Sequence, residues 1–352
     1  MAINNFKPFA VGAGANVMTQ ADFEALAALL TGFQSGTAQS QQLNKVWRQS
    51  SIMAAVLAQF IVDLTGQDAI DDGTTATLLA NLKAAAGASS VGVVGSMRNG
   101  RMSVAAASST ATFTADEIIV ESALGGLTYR LANFNESINL ATTGAGGMDT
   151  GTAPASGYVA LYAIYSPVKA AQHASDPITY PDDGRALLAT NATSAIAPNV
   201  YAGANMPSGY TASALVSVWP TNASGQFVAA FQRDRQIAWL GTTVLSTTSQ
   251  VSTPTSLNVS AAIPLNAKFC SGYLDVSVST TSTSIVSGAL HGNSLGYGGA
   301  FAYFNTGSST AGGGQRSSFS KLLVANPQTL YYTITASAGA PGFSVYVNNY
   351  EF

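Results

Sequence analysis

Charged side chains are scarce where chemistry would need them. From Ile237 to Phe352 the sequence carries only Lys268, Asp275, Arg316, Lys321 and Glu351. Hydrolysis of a glycosidic bond needs two carboxylates about 5 to 9.5 Å apart. Asp275 and Glu351 are the only candidates in this stretch, and both lie on or beside alternating runs. The two histidines, His173 and His291, fall in different parts of the chain, so a Ser-His-Asp triad would need a long-range meeting. No HExxH, CxxC, GxSxG or P-loop pattern occurs.

Other small motifs read as structure. Gly144-Ala-Gly-Gly147 has no helix after it to complete a phosphate cradle and reads as a tight turn. Asp182-Asp183-Gly184 offers oxygens to Ca²⁺ but lacks the spaced further ligands of a dedicated loop, so it too reads as a turn. Neither a metal nor a cofactor is expected. Cys270, the one cysteine, excludes an intrachain disulfide and reads as a buried, inert thiol. Four Asn-x-Ser/Thr sequons, at Asn135, Asn191, Asn222 and Asn258, are what so Ser/Thr-rich a chain produces by chance.

Binding chemistry is better represented than catalysis. Between Ser287 and Gly314, nine glycines surround His291, Tyr297, Phe301, Tyr303 and Phe304. Aromatic faces stack on the apolar faces of sugar rings, and nearby Asn, Ser and backbone groups supply hydrogen bonds. His291, Tyr297, Phe301 and Tyr303 are therefore the candidate ligand contacts. His291 and Tyr297 are preferred because glycine flanks both and neither sits in an alternating run. The competing reading makes Phe301, Tyr303 and Phe304 core residues of a strand.

Three kinds of element must position these residues. Thr19 can cap a short helix carrying Phe23, Leu26, Ala27 and Leu30 that stops at Gly32. Ser40 can cap a longer one. Leu43, Val46, Trp47, Ser50, Met53, Ala54, Leu57, Phe60, Ile61 and Leu64 draw a stripe along it over about three heptads, ended by Gly66. A third helix follows Asp71-Asp72-Gly73, with Leu78, Leu79 and Leu82 on one side. These helices form either an intramolecular bundle or, as the preferred reading, a trimer seam. From Ala88 the grammar changes to strands at Ile118–Glu121, Leu127–Leu131, Ile138–Thr142, Tyr158–Tyr165, Ala214–Trp219 and Phe227–Gln232. Residues 166–195 read as a long surface excursion, and 247–256 as a connector or edge. Strands at Tyr273–Thr280, Ser317–Val324, Leu330–Ala336 and Phe343–Val347 then predict a β-sandwich, with a jelly roll as one form of it.

Composition narrows the class further. Charged residues are 9 % of the 352, against about 25 % in a typical soluble domain. A surface made polar by Ser, Thr, Asn and Gly suits burial between subunits or work outside the cell. The net charge of −3 argues against a nucleic-acid partner, which needs a basic stripe. Mean hydropathy is +0.22, yet the longest apolar stretch, Ile52–Ile61, is far short of a membrane span, so no membrane insertion is expected. The opening residues lack the basic start and apolar run of a signal peptide, which predicts synthesis in the cytoplasm without export by that route.

Specific strings also carry a resemblance. Asn5-Phe-Lys-Pro-Phe-Ala10, Gly12-Ala-Gly-Ala-Asn-Val17, Ala28-Leu-Leu-Thr-Gly-Phe-Gln-Ser-Gly36, Asn44-Lys-Val-Trp-Arg-Gln-Ser-Ser51 and Asp71-Asp-Gly73 resemble the N-terminal module of phage and prophage tail fibre proteins. Ile138–Gly151, Gly157–Tyr165 and Tyr210–Pro220 are similar to a module recurring in such fibres, whereas the last 100 or so residues match nothing recognised. The resemblance implies a homotrimer in the virion tail, docked on tail or baseplate proteins and binding a host surface polysaccharide or protein. Phe6, Phe9 and Val17, apolar residues in a Gly-rich arm with no core of its own, are the candidate docking contacts.

The expected protein is thus a non-enzymatic α+β multidomain trimer. It has a helical attachment module (1–87), a β-rich middle module (88–243) and a jelly-roll-like β-sandwich tip (244–352). The alternative is a purely structural baseplate or tail-tip protein without receptor binding.

Overall fold

The computed structural model describes residues 2–36, 39–88, 92–307 and 313–352. The chain divides into two compact units, residues 1–91 with 127–129, and 92–126 with 130–352.

The first unit is helical: α1 (Gln20–Glu24), α2 (Ala28–Thr31), α3 (Ser40–Thr65) and α4 (Ala76–Ala88). Thr19 caps α1, its hydroxyl accepting from the Asp22 amide and donating to the Asp22 carboxylate. The helix expected from Thr19 to Gly32 is in fact two short pieces. Phe23 is buried while Leu30 stays 94 % exposed, so its apolar positions do not share one face against a core. The first residue outside α3 is Gln39, which makes no side-chain cap, and Ser40 instead accepts a hydrogen bond from Asn16. Gly66 ends α3 in the left-handed region (φ 67°), where glycine carries no Cβ penalty. The core here is small: Ala58, Ile61, Ala69 and Ala85, flanked by Phe6, Val62, Leu64, Leu78 and Leu82.

Residues 2–18 are not a free arm. Asn5 donates to the Ala69 carbonyl and Ala69 to that of Ile3. Asn4 reaches Ala55 and Gln59, the Phe9 amide reaches Ser51 Oγ, and Asn44 donates to the Asn16 carbonyl. The segment thus runs along α3 of its own chain, a correction to the unsupported arm expected from its Gly-rich sequence.

The second unit is mostly β. Its early strands are β1 (Met97–Arg98), β2 (Arg101–Val104), β3 (Thr110–Glu121), β4 (Thr128–Asn139, the first two residues of which are grouped with the first unit), β5 (Tyr158–Tyr165), β6 (Arg185–Asn191), β7 (Ala212–Pro220) and β8 (Ala230–Arg233). The later ones are β9 (Gln236–Thr247), β10 (Val251–Asn258), β11 (Phe269–Ser279), β12 (Ile285–His291), β13 (Ala300–Asn305), β14 (Gly313–Leu323), β15 (Thr329–Ala336) and β16 (Ala340–Glu351). Among the described residues one sheet runs β14-β11-β16-β9-β8-β2-β3-β7-β5-β6, with β1 and β4 also paired to β3. A second sheet runs β10-β15-β12-β13. Neighbouring strands pair antiparallel, as β11 does with β16, β12 with β15, β16 with β9, β2 with β8 and β5 with β7.

The near-continuous apolar run Tyr158–Ile164 makes β5 buried on both faces, as is most of β7. The excursion expected over 166–195 is instead a helix and a strand. Ser166 caps α5 (Pro167–Ser175), accepting from the Lys169 amide, with Pro167 in the first turn where its missing N–H costs nothing. Ala186–Ala189 then pair β6 onto β5 with every side chain buried. The stretch 247–256, read as a connector or edge, holds most of β10, which lies at the edge of the second sheet.

The second sheet lays its apolar face on β11 and β16. Tyr332 packs on Phe343, with centroids 6.3 Å apart. A Cβ on Gly288 would lie 2.7 Å from atoms of both Phe343 and Val276, so glycine is what lets β12 approach this closely. The division expected at 243/244 falls inside β9, which pairs with β8 on one side and β16 on the other. The two stretches therefore share a sheet and one compact unit.

Candidate functional site

The Gly- and aromatic-rich segment is the β12–β13 hairpin; residues 308–312 at its far end lie outside the described residues. Alternation along β13 buries Ala302 and turns Phe301 (64 % exposed) and Tyr303 (54 %) outward. Register places Phe301 opposite Ala289, Tyr303 opposite Ser287 and Asn305 opposite the half-exposed Ile285. In the loop, the Asn293 carboxamide oxygen accepts from the amides of Leu295 and Tyr297, and Gly296 and Gly298 take positive φ. That turn leaves Tyr297 68 % exposed.

His291 is the correction. It ends β12 opposite Tyr331, is 6 % exposed, and meets Phe301 edge-on at 6.0 Å. Among the described residues its buried Nδ1 finds no hydrogen-bond partner. Burial lowers the imidazole pKa below its ordinary value, against a smaller opposing pull from the Gly296 backbone. Glycine beside it permits close packing: a Cβ on Gly299 would sit 2.6 Å from Nδ1. The flanking glycines that suggested a display loop instead let the loop close over a buried side chain.

The carboxylates do not form a catalytic pair. Asp275 receives a bidentate fork from Arg316 (2.7 Å and 2.7 Å), and Glu351 pairs with Lys321 at 2.9 Å. Asp275 faces Ser344 of β16, seven positions from Glu351 on that strand, or roughly 23 Å at the rise of an extended chain. His173 lies on α5 with Nδ1 on the Tyr180 carbonyl (2.7 Å). Among the described residues, no three His, Cys, Asp or Glu side chains converge to hold a metal. Asp182 and Asp183 accept from the Gly184 and Arg185 amides and pair with Lys169 and Arg185, which closes a turn. Cys270 is fully buried, and burial pushes its thiol up to about 12.

Two groups escaped the sequence. Tyr273 and Tyr346 face each other across β11 and β16 and stack at 4.4 Å, with Arg316 lying 4.3 Å over the Tyr273 ring. Alternation marks each tyrosine as outward, but only the register makes them neighbours. Glu136, on the inward side of β4 between Phe134 and Ile138, titrates at about 7. Burial is the main cause, Asp183 and Asp182 add to it, and Arg185 opposes it.

Of the docking candidates, Phe6 packs beside the α3–α4 core, Phe9 meets Trp47 edge-on at 5.9 Å, and Val17 is half-buried. Their apolar faces are thus partly satisfied within the chain. An open apolar groove of about 310 Å³ remains beside Phe6, walled by Leu57, Ile61, Leu78, Leu79 and Leu82. Among the described residues, no helix is long and apolar enough to cross a membrane.

No family model and no curated protein matches the sequence. Among solved structures, a glycoside hydrolase family 43 arabinoxylan arabinofuranohydrolase from Bacillus subtilis, in complex with cellotetraose, is similar at a TM-score of 0.18 and 10 % identity over 69 % of this chain. A Bacillus thuringiensis Cry1Da tryptic core variant is similar at a TM-score of 0.16 and 9 % identity over 72 % of this chain. The aligned parts span 52 % and 51 % of those chains, and at these TM-scores neither likeness bears on fold or function.

Proposed function

We propose that this chain is a homotrimeric phage tail fibre component, made in the host cytoplasm and assembled into the virion tail, that binds a host surface saccharide through its C-terminal part. The observation that carries the reading is the uncovered face of α3. Met53 (58 % exposed), Val56 (56 %), Leu57 (47 %) and Phe60 (36 %) recur at helical spacing and keep much of their apolar surface in solvent. A helix that leaves such a stripe in water is suited to other copies of itself. In support of the tip reading, β9 to β16 form two four-stranded sets, β14-β11-β16-β9 and β10-β15-β12-β13, the strand order of a jelly roll. Tyr297, Phe301 and Tyr303 give that part an exposed, uncharged aromatic strip suited to sugar rings.

The test is the mass in solution. Light scattering should give three times 35.9 kDa, and Leu57→Asp should dissociate the assembly by burying a charge at the shared seam. A monomer at micromolar concentration would reject the trimer. The second reading, a structural component without a receptor, is favoured by the burial of His291. It predicts that the purified trimer neither binds host cells nor blocks infection.

A further inference from the structure

The exposed face of the large sheet carries a second, differently charged site at β8, β2, β3 and β4. Antiparallel register puts Arg101 opposite both Thr114 and Arg233, and Ser103 opposite Phe231. Alternation buries Met102, Val104, Ala111 and Phe113 and turns Arg101, Ser103, Thr110, Thr112, Phe231 and Arg233 outward. Thr112 and Ser137 hydroxyls hydrogen-bond at 2.8 Å across β3 and β4. Together these strands line an open groove of about 610 Å³, with Phe231, 48 % exposed, on one wall. That volume lies within the usual range for small-molecule sites, about 300–1,000 Å³.

The charges are the anomaly. Like charges directly opposite on neighbouring strands repel, and among the described residues no carboxylate pairs with Arg101 or Arg233. The acidic groups closest by connectivity are already engaged: Asp116 accepts from Asn99, and Asp234 from the Gly100 amide. In a chain with only 14 Lys and Arg against 17 Asp and Glu, two guanidinium groups with no salt-bridge partner among the described residues lie opposite each other beside a hydroxyl-lined groove.

We propose that this groove binds an acidic saccharide, with Arg101 forking the carboxylate of a uronic acid residue. Arg233 adds charge at the rim, the hydroxyls of Ser103, Thr110 and Thr112 meet those of the sugar, and the Phe231 ring stacks on its apolar face. The site lies on strands other than β12 and β13 and takes the opposite chemistry to the uncharged strip there. It does not depend on the fibre reading.

The test is isothermal titration of the full chain with tetragalacturonate, using maltotetraose as the neutral control. Tetragalacturonate is expected to bind and maltotetraose to give no measurable heat. Arg101→Ala should weaken binding about tenfold or more, as loss of a charge-assisted fork does, and Arg101→Lys should weaken it less. Ser103→Trp, which fills the groove from an exposed position, should abolish binding with the melting temperature unchanged, so the proposal stays testable if Arg101→Ala folds poorly. Absence of tetragalacturonate binding at millimolar concentration overturns the proposal. So does binding that survives Arg101→Ala and Ser103→Trp, or that is lost equally in Tyr297→Ala. A failed titration leaves the solution mass and host-cell binding untouched, so it is distinguishable from failure of the fibre reading.

Discussion

β7 and α3 are both rich in large apolar residues, and they use them in opposite ways. Eight of the nine residues of β7 are buried, including Trp219 at 0 % exposure. The 26-residue α3 buries only Lys45, Ala58 and Ile61 and leaves Trp47, Ile52, Met53, Val56, Leu57 and Phe60 exposed. A central strand has neighbours on both edges and layers over both faces, so its apolar residues are consumed within the unit. A helix flanked by one arm and one other helix can cover only part of its circumference. The difference locates where the chain is self-sufficient and where a partner has most apolar surface to cover.

The strongest way to break that contrast is Trp219→Ala. Its indole Nε1 donates to the Val228 carbonyl at 2.9 Å, and its ring packs edge-on against Phe227. Truncation leaves a large cavity and a carbonyl without its donor, a loss of about 3–5 kcal/mol in urea unfolding. Leu57→Ala, measured on dissociated chains through the helical signal, should cost at most about 0.5 kcal/mol, as exposed substitutions do. Equal losses would show that α3 is already covered within its own chain.

How much of this was legible in the sequence follows from whether a signal is local. The run Tyr158–Tyr165, the alternation of Phe343–Val347 and the stop at Gly66 are properties of neighbouring residues, and the elements form where they stand. The excursion over 166–195 hid α5 and β6 because Pro177, Pro181 and the Asp182-Asp183-Gly184 turn mask a buried run of only four residues, Ala186–Ala189. Pairings such as Tyr273 with Tyr346, or Arg101 with Arg233, depend on register between distant strands and carry no sequence signature at all. His291 was misjudged for a related reason: glycines that free a loop also let it pack tightly.

A smaller effect sharpens the comparison through pH. Glu136 titrates at about 7 in the folded protein, above the ordinary 4.5 of an unfolded carboxyl. The folded state therefore holds its proton more tightly, and this contribution to stability is full below pH 4.5 and is lost as pH rises to about 7. His291 acts oppositely: its pKa is depressed, so its contribution is full above the ordinary value of 6.5 and is lost as pH falls through the folded value. Melting temperatures from pH 4.5 to 8 should therefore shift in opposite senses in Glu136→Gln and His291→Asn. Glu136→Gln should flatten the decline towards pH 7, and an unchanged profile would mean that Asp182, Asp183 and Arg185 set it instead.

The smallest expected change in stability belongs to Tyr297 and Phe301, and it is the one that bears on function. Both are more than half exposed, and among the described residues no side-chain hydrogen bond fixes either; the Tyr297 backbone amide donates to Asn293. Replacing both by Ala should leave unfolding within about 0.5 kcal/mol of the parent, the usual range for surface sites. Phe301 does contact the His291 ring at 6.0 Å, so any loss beyond that range would come through the imidazole and should recur in Phe301→Ala alone. The tip reading expects host-cell adsorption to fall while mass and melting temperature hold. Each contact is weak, about 1 kcal/mol, but three copies on one fibre multiply small losses into a large change in avidity. Adsorption that persists with both rings removed would take the uncharged strip out of receptor binding and leave it as the outer surface of an edge strand.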